Sequence, residues 1–407
     1  MNSIRRMLLV LLVAVLNACG GNSSNVAQPE VQADIQKMIS EKFAVYKTAN
    51  KLPDDSGILV HLQTPKGTWT AAAGFHDGVN RNWHYRIASV SKTFTAASIM
   101  LLDQQGKIRI DDKLTDMIPG TTDPYLPDSD GYNIPFKGQT TIRQVLSHRA
   151  GIYDIYNNPV PKTSVFPYRG RIYGDYVTEG DPNHQFTLDE LIGVVAANQL
   201  YFTDAERDNG FHYSDTGFSV LAKIVERVSG KSYDRFLAEN FLKPMGLSET
   251  SAPWSGYDTT IPAPFFTGYT RKDGVFFETV EYNMSDQVGP GNIISTPADM
   301  ATWARKLLSG SGPLTREQVT RMAAVAEGNK GYGLGLGNFS VGIGHTGAHP
   351  GYVNLVAYNP DDDVAVVVVT PFIDYDKKLD DHMALMISVA TEARRIAGYP
   401  GTWEPQR

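Results

Sequence analysis

Apolar positions recur along the chain with two different periods. Between residues 31 and 47, Val31, Ile35, Met38, Ile39 and Val45 fall at roughly the helical repeat. Residues 58–63 and 68–73 then read as strands. Thr64-Pro65-Lys66-Gly67 between them is a turn signal, so the two make a hairpin. A helix is expected from about residue 89 through Ile99-Met100-Leu101-Leu102, with Gly106 as its C-terminal cap. The middle of the chain keeps the helical period at 141–149, closed by Gly151. It keeps it at 187–197, opened by the capping-box pattern Thr187-Leu188-Asp189-Glu190, at 216–228, closed by Ser229-Gly230, and at 232–242, ahead of Pro244. Two polar stretches, 121–139 and 157–185, carry enough Tyr, Phe and Pro to predict ordered packing over something.

The last third mixes the periods. Thr296-Pro297-Ala298-Asp299 has an N-cap, a proline at N1 and an acid in the first turn, which predicts a helix to Leu308. A shorter helix follows at 315–322, with Gln318 completing a capping box, and then strands at 332–341, 343–347, 352–358 and 364–370. A helix at 377–396 closes the chain. No internal repeat is visible. The fold class this predicts is α/β (more strictly α+β): one antiparallel sheet built from both ends of the chain, flanked by helices, with a mostly helical region inserted. The sheet lobe is expected from about 31–88 and 290–397, the helical lobe from about 89–289, and a tail from 398–407.

Composition narrows the function classes. The 407 residues are 42% hydrophobic and 20% charged, and the net charge of −7 is dispersed without a basic tract. That argues against nucleic acid as a partner, since phosphate neutralisation needs clustered Lys and Arg. Arg5 and Arg6 precede an apolar run at 7–16, too short to span a bilayer and suited to a signal peptide. Cys19 follows directly in Leu16-Asn17-Ala18-Cys19-Gly20 and is the sole cysteine, which excludes a disulfide framework. This pattern predicts a signal peptide at 1–18 and lipid modification at Cys19. A flexible tether at 19–30 would follow, on a protein exported to the periplasmic side and anchored to the membrane by its lipid. A secreted or periplasmic protein is the alternative if Cys19 is not lipidated.

Several chemistries find no motif. There is no His-Glu-x-x-His and no cysteine cluster, so no metal is expected, and no cofactor. Asp361-Asp362-Asp363 lacks the alternating oxygens and closing Glu of a Ca²⁺ loop and reads as a polar turn. Gly230-Lys231-Ser232 ends like a P-loop, but Val225 stands where its first glycine belongs. A Gly-x-Ser-x-Gly elbow is absent.

What remains is Ser89 and Lys92, the one serine with a lysine three residues on. On a helix these share a face, with Cβ atoms about 5–6 Å apart, and an amine beside a hydroxyl is what activates a serine nucleophile. A helix N-terminus with a solvated lysine accounts for the pair equally well on its own. Two further segments stand out. Phe211-His212-Tyr213-Ser214-Asp215-Thr216-Gly217 opens a helix, with Asp215 or Thr216 as candidate N-cap. Gly344-His345-Thr346-Gly347-Ala348-His349-Pro350-Gly351 is a strand of small residues, which often marks close approach of a backbone or a ligand.

Taken in order, Ser-x-x-Lys, Tyr-Ser-Asp and His-Thr-Gly resemble the serine hydrolase superfamily of class C β-lactamases, D-alanyl-D-alanine carboxypeptidases and related esterases. The likeness covers about residues 31–397, and the carboxypeptidase branch is the most similar. Residues 141–154, 294–300 and 331–336 also resemble segments of that family. The resemblance implies that Ser89 attacks a carbonyl to form an acyl-enzyme, with Lys92 and Tyr213 sharing the work of base and acid; which of them takes the serine proton stays open. It implies an oxyanion hole from the backbone amides of Ser89 and Ala348, and a groove lined by His345, Thr346, Gly347 and Asp215. Three positions depart from the pattern. Asp215 replaces an asparagine of many relatives and would hold Lys92 as a cation, or prefer substrates that offer a donor, and the N-cap role is compatible with either. Gly337 stands where the carboxypeptidase has a carboxylate-binding arginine, and Ala348 where it has a threonine. Losing both donors weakens recognition of a free peptide carboxylate, unless His349 or Arg207 substitutes. The expected activity is D-alanyl-D-alanine carboxypeptidase-like hydrolysis, or hydrolysis of another D-amino-acid peptide or small amide. A carboxylesterase, a weak β-lactamase and a non-catalytic binding lipoprotein on the same scaffold are the alternatives. The expected partner is a small molecule or peptide.

Overall fold

The computed structural model describes residues 28–76, 78–202, 210–325 and 331–404. The expected signal peptide, Cys19 and most of the tether lie outside the described residues, as does Arg207.

The sheet predicted from both ends of the chain is present. Helix α1 (Gln28–Asn50) begins within the stretch read as tether and leads to the hairpin β1 (Ile58–Thr64) and β2 (Gly67–Ala73). After β2 the chain leaves the sheet, through β3 (Tyr85–Arg86), α2 (Ser91–Gln104), α3 (Ile142–Leu146), α4 (Tyr173–Gly180), α5 (Leu188–Asn198), α6 (Asp215–Ser229) and α7 (Tyr233–Leu237). It passes β4 (Tyr269–Lys272), β5 (Val275–Glu278), β6 (Ile294–Ser295), α8 (Pro297–Leu308) and α9 (Arg316–Ala323). It then re-enters as β7 (Gly337–Phe339), β8 (Gly342–His349), β9 (Tyr352–Asn359) and β10 (Val364–Thr370), and ends with β11 (Phe372–Asp374) and α10 (Leu379–Ile396). The six-stranded order is β2-β1-β10-β9-β8-β7, antiparallel throughout.

Strand β10 shows why the two ends meet. Its sequence Val-Ala-Val-Val-Val-Val-Thr is buried at every position, because both faces of the sheet are covered. Val364, Val366 and Val368 pack with Ile35 and Ile39 of α1 and Val389 of α10. Ala365, Val367 and Val369 join a second core with Phe94, Phe218 and Trp303 from the helical region. No helix among the described residues is long and apolar enough to cross a membrane.

Several local expectations change. The helix predicted over 141–149 stops at Leu146, because His148 takes a left-handed backbone at φ +56°. The helix of residues 233–237 does not stop ahead of Pro244; a widened π turn at Ala238–Leu242 carries it into Lys243–Met245. Residues 332–336 form a turn, not a strand, with the Gly333 N–H donating to the Leu336 carbonyl. Thr187 and Thr315 cap their helices, but the Glu190 carboxylate goes to Tyr173 and His184, and Gln318 to Asp103. Strands β4 and β5 fall inside the region expected to be helical, and they join β11 in a three-stranded sheet, β11-β4-β5. The expected tail is docked as far as it is described, with Trp403 donating through Nε1 to Asn338.

Candidate active site

Ser89 lies in a single 3-10 turn, Ala88–Val90, that leads into α2. Ala88 has φ +50°, a left-handed backbone that costs on the order of 1–3 kcal/mol for a residue with a Cβ and persists only where its surroundings impose it. They do so from three sides. The Ile87 N–H donates to the Ile293 carbonyl, the Asn354 side chain donates to the Ile87 carbonyl, and the Ser91 hydroxyl accepts from the Ile293 N–H. Strand β8 presses on the same turn: a Cβ on Gly347 would stand 2.3 Å from the Ile87 carbonyl oxygen. That is the close backbone approach the small-residue strand predicted.

The first turn of α2 brings Lys92 Nζ to 3.0 Å from Ser89 Oγ. Lys92 is completely buried. Its ammonium also donates to the Pro290 carbonyl at 3.1 Å and meets Asp215 Oδ1 at 2.5 Å. Burial pulls the lysine pKa down, and the carboxylates of Asp215 and Asp154 resist. The ammonium lies 4.8 Å from the centre of the Tyr213 ring. Burial and then the Asp215 charge push the Tyr213 phenol well above its ordinary value, while a hydrogen bond with Ser89 acts the other way. The site therefore combines a lysine made easier to deprotonate with a phenol kept protonated.

The N-cap of α6 is Ser214, which accepts from the Gly217 N–H, and not Asp215 or Thr216. Asp215 is left for Lys92. Its other oxygen accepts from Asn157 Nδ2 at 2.9 Å, and the same amide donates to Asp154 at 2.8 Å. One amide thus bridges two buried carboxyls, and burial together with the Asp215 charge raises Asp154 to about 7.

On β8 the candidate residues alternate. His345, Gly347 and His349 face the helical region in register with Val356, Asn354 and Tyr352. Thr346 and Ala348 pair with Leu355 and Val353, which belong to the opposite face of the sheet. The side chains of His345 and Thr346 therefore do not line one groove together. Beyond Gly344 the outer edge of β8 has no strand partner among the described residues, since β7 pairs only with Gly342, Ile343 and Gly344. His345 donates from Nδ1 to the Thr346 carbonyl and accepts at Nε2 from the Tyr332 hydroxyl at 2.9 Å. Burial and the nearby Lys92 lower it to about 3, so the ring is neutral. His349 is lowered to about 3 as well, by burial and then by Arg86, so it does not supply the cation that Gly337 and Ala348 lack.

Sequence reasoning gave no role to Pro290, Asp154, Asn157 or His148. The His148 ring packs 4.2 Å from that of Tyr213, and its Nδ1 accepts the Ser214 N–H at 3.0 Å. It thereby positions the segment that carries Tyr213 and Asp215. Its place in the 141–154 segment was the available signal.

A serine, a lysine and a phenol gathered at the edge of an antiparallel sheet, under a helical lobe, define a β-lactamase/transpeptidase-like hydrolase. The Beta-lactamase family model matches residues 56–372, well over half of the sequence, and the chain belongs to that family. It is 29% identical to penicillin-binding protein 4* of Bacillus subtilis over 41% of this chain and 30% of that protein. The other sequence relatives are likewise spanned only in part, about half of their length. Among solved structures it is similar to a D-stereospecific amidohydrolase from Streptomyces sp., with TM-score 0.66, 25% identity, and 84% of this chain and 94% of that one covered. The D-amino acid amidase from Ochrobactrum anthropi SV3, in complex with D-phenylalanine, has the same fold. There the TM-score is 0.69 at 20% identity, over 90% of this chain and 99% of that one.

Proposed function

We propose that the protein is a serine amidohydrolase that forms an acyl-enzyme on Ser89 and acts on D-amino-acid peptides or amides. The observation that carries the chemistry is Lys92 Nζ at 3.0 Å from Ser89 Oγ in a buried site. The neutral Lys92 amine takes the serine proton as Oγ attacks the carbonyl. The backbone amides of Ser89 and Ala348 stabilise the resulting oxyanion. The proton passes through the Tyr213 hydroxyl to the leaving nitrogen, the C–N bond breaks, and water releases the acyl group by the reverse relay. The opposite pKa directions of Lys92 and Tyr213 support this division of labour.

Gly337, Ala348 and neutral His349 disfavour a substrate that needs a cation for its free carboxylate. That, with the amidase and amidohydrolase likeness, supports reading amides ahead of the carboxypeptidase reaction. The test is labelling with a fluorophosphonate, peptide mapping, and burst kinetics on a D-amino-acid p-nitroanilide, a D-Ala-D-Ala peptide, a p-nitrophenyl ester and a chromogenic cephalosporin. Ser89→Ala should lose label and on the order of 10⁴-fold or more in kcat. Label elsewhere, or equal turnover by Ser89→Ala, sinks the reading; fastest turnover of the peptide, the ester or the cephalosporin overturns the amide assignment. Export and lipidation at Cys19 are part of the same proposal. Cys19→Ser should move the protein from the membrane to the soluble fraction, and unchanged fractionation refutes the anchor.

A further inference from the structure

A cavity of about 50 Å³ has Tyr156, Asp175, Tyr282, Asp286 and Gln287 as its polar groups. None of its lining residues is a cation. One ordered water needs roughly 10–15 Å³, so the space takes a few waters or a small amine. It belongs to the segments that hold Lys92. Ile155, in its wall, donates from its N–H to Thr216, the residue after Asp215, and Gln287 lies three residues ahead of Pro290.

Asp286 is the feature that points to a ligand. It is 7% exposed, and its Oδ1 has no hydrogen-bond partner among the described residues. An unsatisfied buried acceptor costs about 1–3 kcal/mol, more when charged, so it marks a place where a donor belongs. Its Oδ2 faces Gly174, where a Cβ would stand 3.1 Å away; a side chain there would crowd the carboxylate. Burial first raises the Asp286 pKa, to about 7, with Asp175 and Asp215 adding to it against a hydrogen bond from the Gln287 side chain, and a bound cation would relieve the repulsion between the carboxylates. Arg86, 5.9 Å from the Tyr282 ring centre, already donates to the Thr259 and Val280 carbonyls.

We infer that this cavity is a subsite for a protonated amine of the substrate, held by Asp286 between the Tyr156 and Tyr282 rings. The inference rests on the proposed function, because the ammonium must belong to the molecule whose carbonyl meets Ser89. It narrows the substrate class to amides and peptides with a free α-amine near the scissile carbonyl. The charge recognised at this site is then the substrate's amine and not its carboxylate.

The test compares kcat/KM for D-alanine p-nitroanilide and its N-acetyl derivative, on the full chain and on Asp286→Asn. The native protein should prefer the free amine by at least about 30-fold, and Asp286→Asn should reduce that preference to within about threefold. Equal rates for the two substrates, or a preference that survives in Asp286→Asn, overturns the subsite. Calorimetry on Ser89→Ala separates this from the catalytic reading, since it needs no turnover. D-alaninamide should bind at least about tenfold more tightly than propanamide, and the advantage should vanish when Asp286→Asn is added. If that advantage is seen while Ser89 takes no label, the hydrolase reading falls and the subsite stands. If Ser89 is labelled and the amine brings no advantage, the subsite falls. Should Asp286→Asn fail to fold, Gly174→Ala carries the test by crowding the carboxylate, with the same loss of amine advantage expected and an unchanged advantage counting against the subsite.

Discussion

The Lys92 ammonium and the Asp215 carboxylate meet at 2.5 Å where the lysine has no contact with solvent. Burial favours the neutral amine, and Asp215 favours the cation. Asp215 therefore opposes loss of the Lys92 proton, and in the proposed mechanism it sets the pH at which Lys92 becomes a base. Asp215→Asn removes the group that raises the lysine pKa, so the acid limb of kcat/KM against pH should move to lower pH. The plateau should fall on the order of 10–100-fold, because the ammonium formed as Ser89 gives up its proton loses its counterion. A limb that stays in place or moves to higher pH would show that Lys92 is not the titrating base.

Gly347 offers a steric test of the same site. A Cβ there would meet the Ile87 carbonyl at 2.3 Å, Asn354 Nδ2 at 2.5 Å and the Ala88 Cβ at 3.2 Å. The first of these is backbone, and Asn354 is itself bonded to Ile87. Gly347→Ala must therefore push β8 away from the turn that holds Ser89. A displacement of about 1 Å between reacting groups costs on the order of 100-fold. We expect kcat to fall by about that factor with a smaller change in KM. Full kcat in a folded Gly347→Ala would show that β8 and Ser89 need no fixed spacing.

What the sequence made legible follows from how local each signal is. The hairpin at 58–73, the Pro297 helix and the valine run at 364–370 are set by neighbours in the chain, and each appeared where periodicity and capping placed it. Ser89, Lys92 and Tyr213 carried an ordered resemblance, and the fold brings them together. The pairing of Asp215 with Lys92 was expected from the resemblance, but its alternative as N-cap was not decided locally, because Ser214 is an equally good cap and only the buried ammonium across the site chooses between them. His148 was hidden for the same reason: its left-handed backbone and its bond to Ser214 are imposed by α6, far along the chain. The strand expected over 332–341 is cut down to β7 because Gly335 takes φ +69° and its N–H donates to Leu146, a partner no local pattern contains. The cavity at Asp286 has no sequence motif at all, since its walls come from four separated segments.

His148 gives a prediction about stability and pH together. Its Nδ1 accepts from Ser214, so the ring proton is on Nε2, which has no hydrogen-bond partner and is packed among the rings of Phe211, Tyr213, Phe218 and Tyr332. Burial, then Lys92, then His345 hold its pKa well below the ordinary histidine value. The unfolded chain takes up this proton as pH drops below about 6.5, and the folded chain does so only at much lower pH. The stabilising contribution is thus fully present above about 6.5. It is lost on acidification at up to about 1.4 kcal/mol per pH unit for this ring. His148→Phe keeps the packing and removes the unpartnered Nε2–H, but strands the Ser214 N–H and loses its hydrogen bond, at a net cost of about 1 kcal/mol. Urea denaturation should show the native chain more stable than the variant by that amount at pH 8. The gap should shrink towards pH 5, because only the native chain has this ring to titrate. At pH 8 the variant should also lose about tenfold in kcat with little change in KM, since Tyr213 loses its support while substrate contacts remain. A stability gap that widens on acidification would mean that His148 is charged in the folded protein and that the Ser214 N–H is held by something else.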